Sequence, residues 1–190
     1  MNSTPYRTGA PVYKAVGWTG ILPTGKRVGS TPGSVPPGFT GRNGAFPDLD
    51  QLREWHRRYG RADIGLRLDH GLIGIDVDAY DGKPGGKILA DLEARLGQLP
   101  PTWISTSRRP EDMVSGIRFF RCPPDAEFVT VLKDEAGVQG IEIIQFHHRW
   151  ARVWPSIAPR TGRQYRWYRP DGSMAEPGVV PGLEDLGVLS

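Results

Sequence analysis

Asp76 and Asp78 stand two residues apart at the end of an apolar, β-branched run, Gly71-Leu-Ile-Gly-Ile-Asp-Val-Asp-Ala-Tyr-Asp81. Side chains on a strand alternate between faces, so both carboxylates project from one face while Ile73, Ile75 and Val77 pack on the other. Two ionised carboxylates that close repel each other, and a cation between them relieves the repulsion. Hard oxygen donors suit Mg²⁺ or Mn²⁺, the ions that activate phosphate esters. A plainer reading also fits the spacing, with one aspartate facing water and the other capping a turn.

Glu142 is a third acid of the same kind. It lies between Ile141 and Ile143, so on a strand it points away from both, either toward the aspartate face or into solvent. Three carboxylates from two strands can hold two divalent ions, the arrangement that stabilises attacking and leaving oxygens in phosphoryl or nucleotidyl transfer. Between the acids lie Ser105-Thr-Ser-Arg-Arg109 and Ser115-Gly-Ile-Arg-Phe-Phe-Arg121. The hydroxyls of Ser107 and Ser115 and the N–H groups of a Ser/Gly turn suit phosphate oxygens, and Arg118 offers forked donors to a triphosphate. The same turn is equally a structural strand end. From Ile143 to Pro170 no acid occurs, whereas Arg149, Arg152, Arg160, Arg163, Arg166 and Arg169 alternate with Trp150, Trp154, Tyr165, Trp167 and Tyr168. Arginines among aromatics fit a phosphate backbone with stackable bases; they fit a half-exposed sheet face equally well.

The elements that must position these groups follow from periodicity and turn chemistry. Residues 1–44 are rich in Gly, Pro, Ser and Thr around an apolar island, Tyr13 to Leu22, which reads as a strand pair or as a short helix leading into a strand. Leu49, Leu52, Trp55 and Tyr59 share a helical face behind Asp48, which predicts a helix capped there and stopped at Gly60. Asp63–Leu68 and Leu72–Asp78 read as a hairpin joined by Asp69-His-Gly71. Ile88, Leu89, Leu92 and Leu96 mark an amphipathic helix ending at Gly97. Further strands are expected at 102–106, 116–121, 140–144, 151–154 and 164–168, and the tail from 170 to 190 is turn-rich. Two helices among about seven strands predict an α+β fold with mixed or antiparallel sheets flanked by helices.

The chain of 190 residues carries a formal charge of +3 and one cysteine, Cys122. That length fits a single domain, 1–190, into which the N-terminal part is integrated. A lone cysteine excludes an intrachain disulfide and any cysteine-based zinc site, which favours a reducing compartment. With neither a membrane-length apolar run nor a signal block, the chain reads as soluble and cytoplasmic.

The order of these segments resembles the primase-polymerase (prim-pol) domain of the archaeo-eukaryotic primase superfamily, found at the start of phage and plasmid replication proteins. The resemblance rests on Ile75-Asp-Val-Asp78, the two Ser/Arg segments, Ile141-Glu-Ile-Ile144, Trp154-Pro-Ser-Ile157 and Tyr165-Arg-Trp167, supported upstream by Gly17-Trp-Thr-Gly-Ile-Leu-Pro23, Gly38-Phe-Thr-Gly41 and Asp63-Ile-Gly-Leu-Arg67. It implies an RRM-like catalytic core, metal-dependent priming and polymerisation on single-stranded DNA from NTPs or dNTPs, and a bacterial host cytoplasm. Asp76, Asp78 and Glu142 would be catalytic ligands of two Mg²⁺ or Mn²⁺ ions. Ser107, Ser115, Arg118 and His148 would bind nucleotide, with Arg118 where the family's second motif carries a histidine. Arg149, Arg152 and Arg166 would bind DNA. A helicase module, fused or separate, is the implied partner, because the chain has no Gly-x-x-x-x-Gly-Lys-Ser/Thr motif. A catalytically weak DNA-binding initiation module and a metal-dependent nuclease are the alternatives.

Overall fold

Both helices predicted from periodicity form, preceded by a third. In the computed structural model, which describes residues 4–189, α1 (Pro5–Ala15) opens on a proline, whose missing N–H is unpaired in any first turn, and leads into β1 (Gly20–Thr24). The Tyr13–Leu22 island is thus helix into strand. In α2 (Leu49–Arg58), the Asp48 carboxylate caps the first turn by accepting the Gln51 N–H at 2.8 Å. α3 (Gly85–Leu96) ends at Gly97, whose φ of 99° suits glycine. Leu96 stays exposed rather than joining the buried face of that helix.

The remaining strands are β2 (Asp63–Arg67), β3 (Leu72–Val77), β4 (Ile104–Thr106), β5 (Gly116–Arg121), β6 (Val131–Lys133), β7 (Gln139–Ile144), β8 (Ala151–Arg152), β9 (Arg166–Tyr168) and β10 (Gly187–Val188). They build a three-stranded sheet, β1-β2-β8, and a larger one in the order β6-β7-β3-β5-β4-β9, with β10 added parallel to β5. The fold is α+β with mixed sheets, as expected. One expectation needs correction. β2 and β3 do not form a hairpin: β2 lies between β1 and β8, and β3 between β5 and β7, so neither has a free edge for the other. Within the turn-rich 170–190 tail, β10 pairs with Phe120 and Arg121 and its Gly187 N–H donates to Thr102 Oγ1 at 2.9 Å.

The large sheet separates two apolar clusters. Ile73, Val77, Phe120, Ile141 and Ile143 pack with Ile88 and Leu89 of α3. On the other side Leu72, Ile117, Phe119 and Ile144 join Trp18, Leu66, Leu68 and Trp167. Long-range hydrogen bonds fasten the chain ends across this second core. The Tyr13 hydroxyl donates to the Trp154 carbonyl at 2.7 Å and accepts from Trp167 Nε1 at 2.8 Å, while Trp18 Nε1 donates to the Pro181 carbonyl at 2.8 Å. Beneath β2, the Arg67 guanidinium donates to the carbonyls of Phe39, Gly41, Gly44, Ala45 and Phe146 and stacks 4.2 Å from the Phe46 ring. That one side chain pins the 39–46 loop to the segment after β7. Among the described residues no helix is long and apolar enough to cross a membrane.

Candidate active site

β3 brings the first carboxylate to the centre of the large sheet. The register pairs Asp76 with Glu142 of β7 on one side and with Ile117 of β5 on the other. Directly opposed residues of antiparallel strands share a face, with Cβ atoms about 5 Å apart. Ile75, Ile143 and their neighbours meet α3, so Asp76 and Glu142 lie together on the opposite face. Asp78 follows just beyond the strand, its backbone held by Gly140 and Gly85 at 2.8 and 3.0 Å. Burial first, then the nearby Asp78 and Glu142 charges, push the Asp76 carboxyl up to about 7, against the weaker pull of Lys83 and Arg118.

The other two acids are answered by cations of the chain itself. Lys83 ion-pairs with Asp78. Partial burial disfavours the Lys83 charge, but its hydrogen bond and attraction to Asp78 outweigh this and raise its pKa. Glu142 Oε1 accepts from His148 Nε2 at 3.1 Å and from Arg149 Nε at 3.0 Å. Because a carboxylate only accepts, His148 carries its proton on Nε2. Among the described residues no three His, Cys, Asp or Glu side chains form a group that could hold a metal ion.

Asp76, Ile117 and Tyr165 form a ridge between two cavities. The first, about 180 Å³, is walled by Asp78, Ser107, Arg108, Ser115 and Arg160. Its Tyr80 ring has the Arg108 guanidinium 3.8 Å from its centroid, the Lys83 ammonium at 5.1 Å and the Arg160 guanidinium at 5.2 Å. The second, about 340 Å³, holds Glu142, Arg149, Trp150 and Arg152. A groove of about 480 Å³ continues the first cavity past Ser107 and Arg108 to Arg163 and Arg166.

Of the residues expected to bind nucleotide, Ser107 and Ser115 border the first cavity. Ser107 bonds to the Tyr165 hydroxyl, and the Ser115 hydroxyl accepts the Ala79 N–H at 2.9 Å, which fixes the turn beyond Asp78. His148 reaches the site through Glu142. Arg118 does not: paired with Ile75, it lies on the α3 face and donates to the Val114 carbonyl at 3.1 Å. Burial lowers its pKa, offset by Glu93 of α3 and by Asp76. The cleft-facing residue of β5 is Ile117, one position earlier. Among the expected DNA-binding residues, Arg149 is exposed beside Glu142 and Arg166 lines the basic groove. Arg152 is mostly buried and tethers the Pro32 carbonyl at 2.6 Å. Sequence reasoning missed Tyr80, Lys83 and Arg108 as site residues, although Arg108 ends the Ser-Thr-Ser-Arg segment; Arg160 and Tyr165, read as part of the acid-free stretch that fits nucleic acid, line the first cavity.

Residues 10–182 match a family model described as bifunctional DNA primase/polymerase, N-terminal (Prim-Pol). No curated protein and no solved structure matches the chain.

Proposed function

From the premise that this chain belongs to the bifunctional DNA primase/polymerase (Prim-Pol) family, we propose that it carries out template-directed nucleotidyl transfer, making and extending primers on single-stranded DNA from NTPs or dNTPs. The observation that carries the reading is the cross-strand pairing of Asp76 with Glu142 at the edge of a cation-lined cavity.

The residues fit divalent ions. Three carboxylate groups meet the demand of Mg²⁺ or Mn²⁺ for hard oxygen donors, and the repulsion that adds to burial in raising Asp76 is the kind a cation removes. Asp76, Asp78 and Glu142 would hold them, once Lys83 releases Asp78. Bound there, the ions supply charge neutralisation for a hydroxyl attacking an α-phosphate with pyrophosphate leaving. The remaining work belongs to the chain. Arg108, Arg160 and Lys83 hold the triphosphate over Tyr80, with Ser107 and Ser115 framing it. Tyr165 and Ile117 wall the point where the two cavities meet. Trp150 offers a ring to a base in the second cavity, with Arg149 beside it. The groove past Arg163 and Arg166 takes template phosphates.

A second reading, a DNA-binding initiation module with weak catalysis, is favoured by the apolar Ile117 facing the site and by the internal cations on Asp78 and Glu142. Labelled nucleotides, a single-stranded template and Mg²⁺ or Mn²⁺ separate the two. Product should appear with the wild type and fall roughly a hundredfold or more in Asp76→Asn and in Asp78→Asn. Salt-sensitive DNA binding without product would instead establish the binding module, and loss of input DNA without incorporation a nuclease.

A further inference from the structure

Away from the carboxylates, α1 and α2 lie side by side and leave a groove of about 560 Å³ between them. Its floor is apolar, built by Ala10 and Pro11 of α1 and by Leu49 and Leu52 of α2. Leu49 begins the apolar stripe of α2, yet it is 55% exposed while Trp55 of the same stripe is buried. Pro11 sits inside α1, where a proline costs about 3 kcal/mol of helix stability, and its exposed ring lines the groove instead of filling the core.

The rim has one sign of charge. Lys14 borders the groove from α1 and Arg53, His56 and Arg57 from α2, and no acid is among its lining residues. Asp50 answers Arg53 at 2.9 Å, which leaves Lys14 and Arg57 as the main source of positive potential. We propose that this groove docks an acidic amphipathic helix of a partner protein, its apolar face on Leu49, Leu52 and Pro11 and its carboxylates toward Lys14 and Arg57.

Three features select that occupant. The flanking helices have 11 and 10 residues, each about 15 Å long, which matches two to three turns of a third helix with anchors at i, i+3, i+4 and i+7. A second copy of this chain would bring two cationic rims together, which like-charge repulsion disfavours. A nucleic-acid backbone has no use for the leucine floor. The groove shares no lining residue with the carboxylate cavities, so the inference stands whether or not the chain polymerises nucleotides.

The test uses two fluorescent helical peptides with leucines at i, i+3, i+4 and i+7, one with glutamates elsewhere and one with lysines. In anisotropy titrations against the whole chain, the glutamate peptide should bind at least about tenfold more tightly, and less so as salt rises. Leu49→Glu should abolish binding, and Lys14→Glu with Arg57→Glu should transfer the preference to the lysine peptide; all three residues are exposed, and unchanged melting curves certify the variants. Equal binding of the two peptides, binding of neither, or displacement of the glutamate peptide by single-stranded DNA would overturn the proposal. If a variant does not fold, the peptide comparison and salt dependence on the wild type decide alone.

Discussion

Arg67 and Asp76 are both drawn in from solvent, but Arg67 is surrounded by carbonyl oxygens that accept from it, whereas Asp76 faces two further carboxylates. Arg67 is 2% exposed, and withdrawing its charge costs several kcal/mol. Burial accordingly lowers its pKa, with Asp69 pulling the other way. Five carbonyls accept from it, and charge-assisted bonds at about 1.5 kcal/mol or more each offset that cost. Asp76 instead faces Asp78 and Glu142, both of which raise its pKa. The first region is complete without a ligand and fixes loops; the second is held in a state that a cation improves. Order and reactivity are thus assigned to different sheets.

The comparison breaks most visibly at Arg67. Arg67→Met should orphan its five carbonyls and cost about 3–5 kcal/mol in urea denaturation; a loss below about 1 kcal/mol would remove Arg67 as the hub. Asp76→Asn should act with the opposite sign. The folded pKa of about 7 exceeds the ordinary 3.8, so the folded state binds the extra proton and metal-free stability falls as pH rises between those values. The asparagine variant should therefore gain about 4 kcal/mol above neutrality and nothing below about pH 4. Thermal melts in a chelator check this, and added Mn²⁺ should restore wild-type stability without affecting the variant. Smaller effects sharpen the division within the cleft. Arg108→Ala should raise the nucleotide KM about tenfold with template affinity unchanged, whereas Arg166→Ala should lower the salt slope of DNA binding by about one. Arg149→Ala, an exposed partner of Glu142, should change stability by less than about 0.5 kcal/mol in the same melts.

The period-two alternation made the shared face of Asp76 and Glu142 legible, because a β-branched strand with one acid has only two orientations for it. The same alternation could not place Arg118. Its residue type matched a phosphate ligand, but which face of β5 it occupies depends on the Asp76–Ile117 register, set by a strand some 40 residues away. The supposed β2–β3 hairpin failed for a similar reason: Asp69-His-Gly71 has the chemistry of a tight turn, and only β1 and β8 decide that β2 joins another sheet. Lys83 carried no signal, since nothing local marks an ammonium that folds back onto Asp78. β10 is two residues long and has no periodicity to detect.

The bond from Trp18 to the Pro181 carbonyl spans 163 residues, and that from Tyr13 to the Trp154 carbonyl spans 141. During synthesis the first helix and the first strand therefore leave the ribosome long before their partners exist. At roughly 5–20 residues per second, Trp18 waits on the order of ten seconds for Pro181. Its indole and the Tyr13 ring, both buried in the finished protein, lack these partners throughout that interval. Folding driven by such distant contacts should be slow.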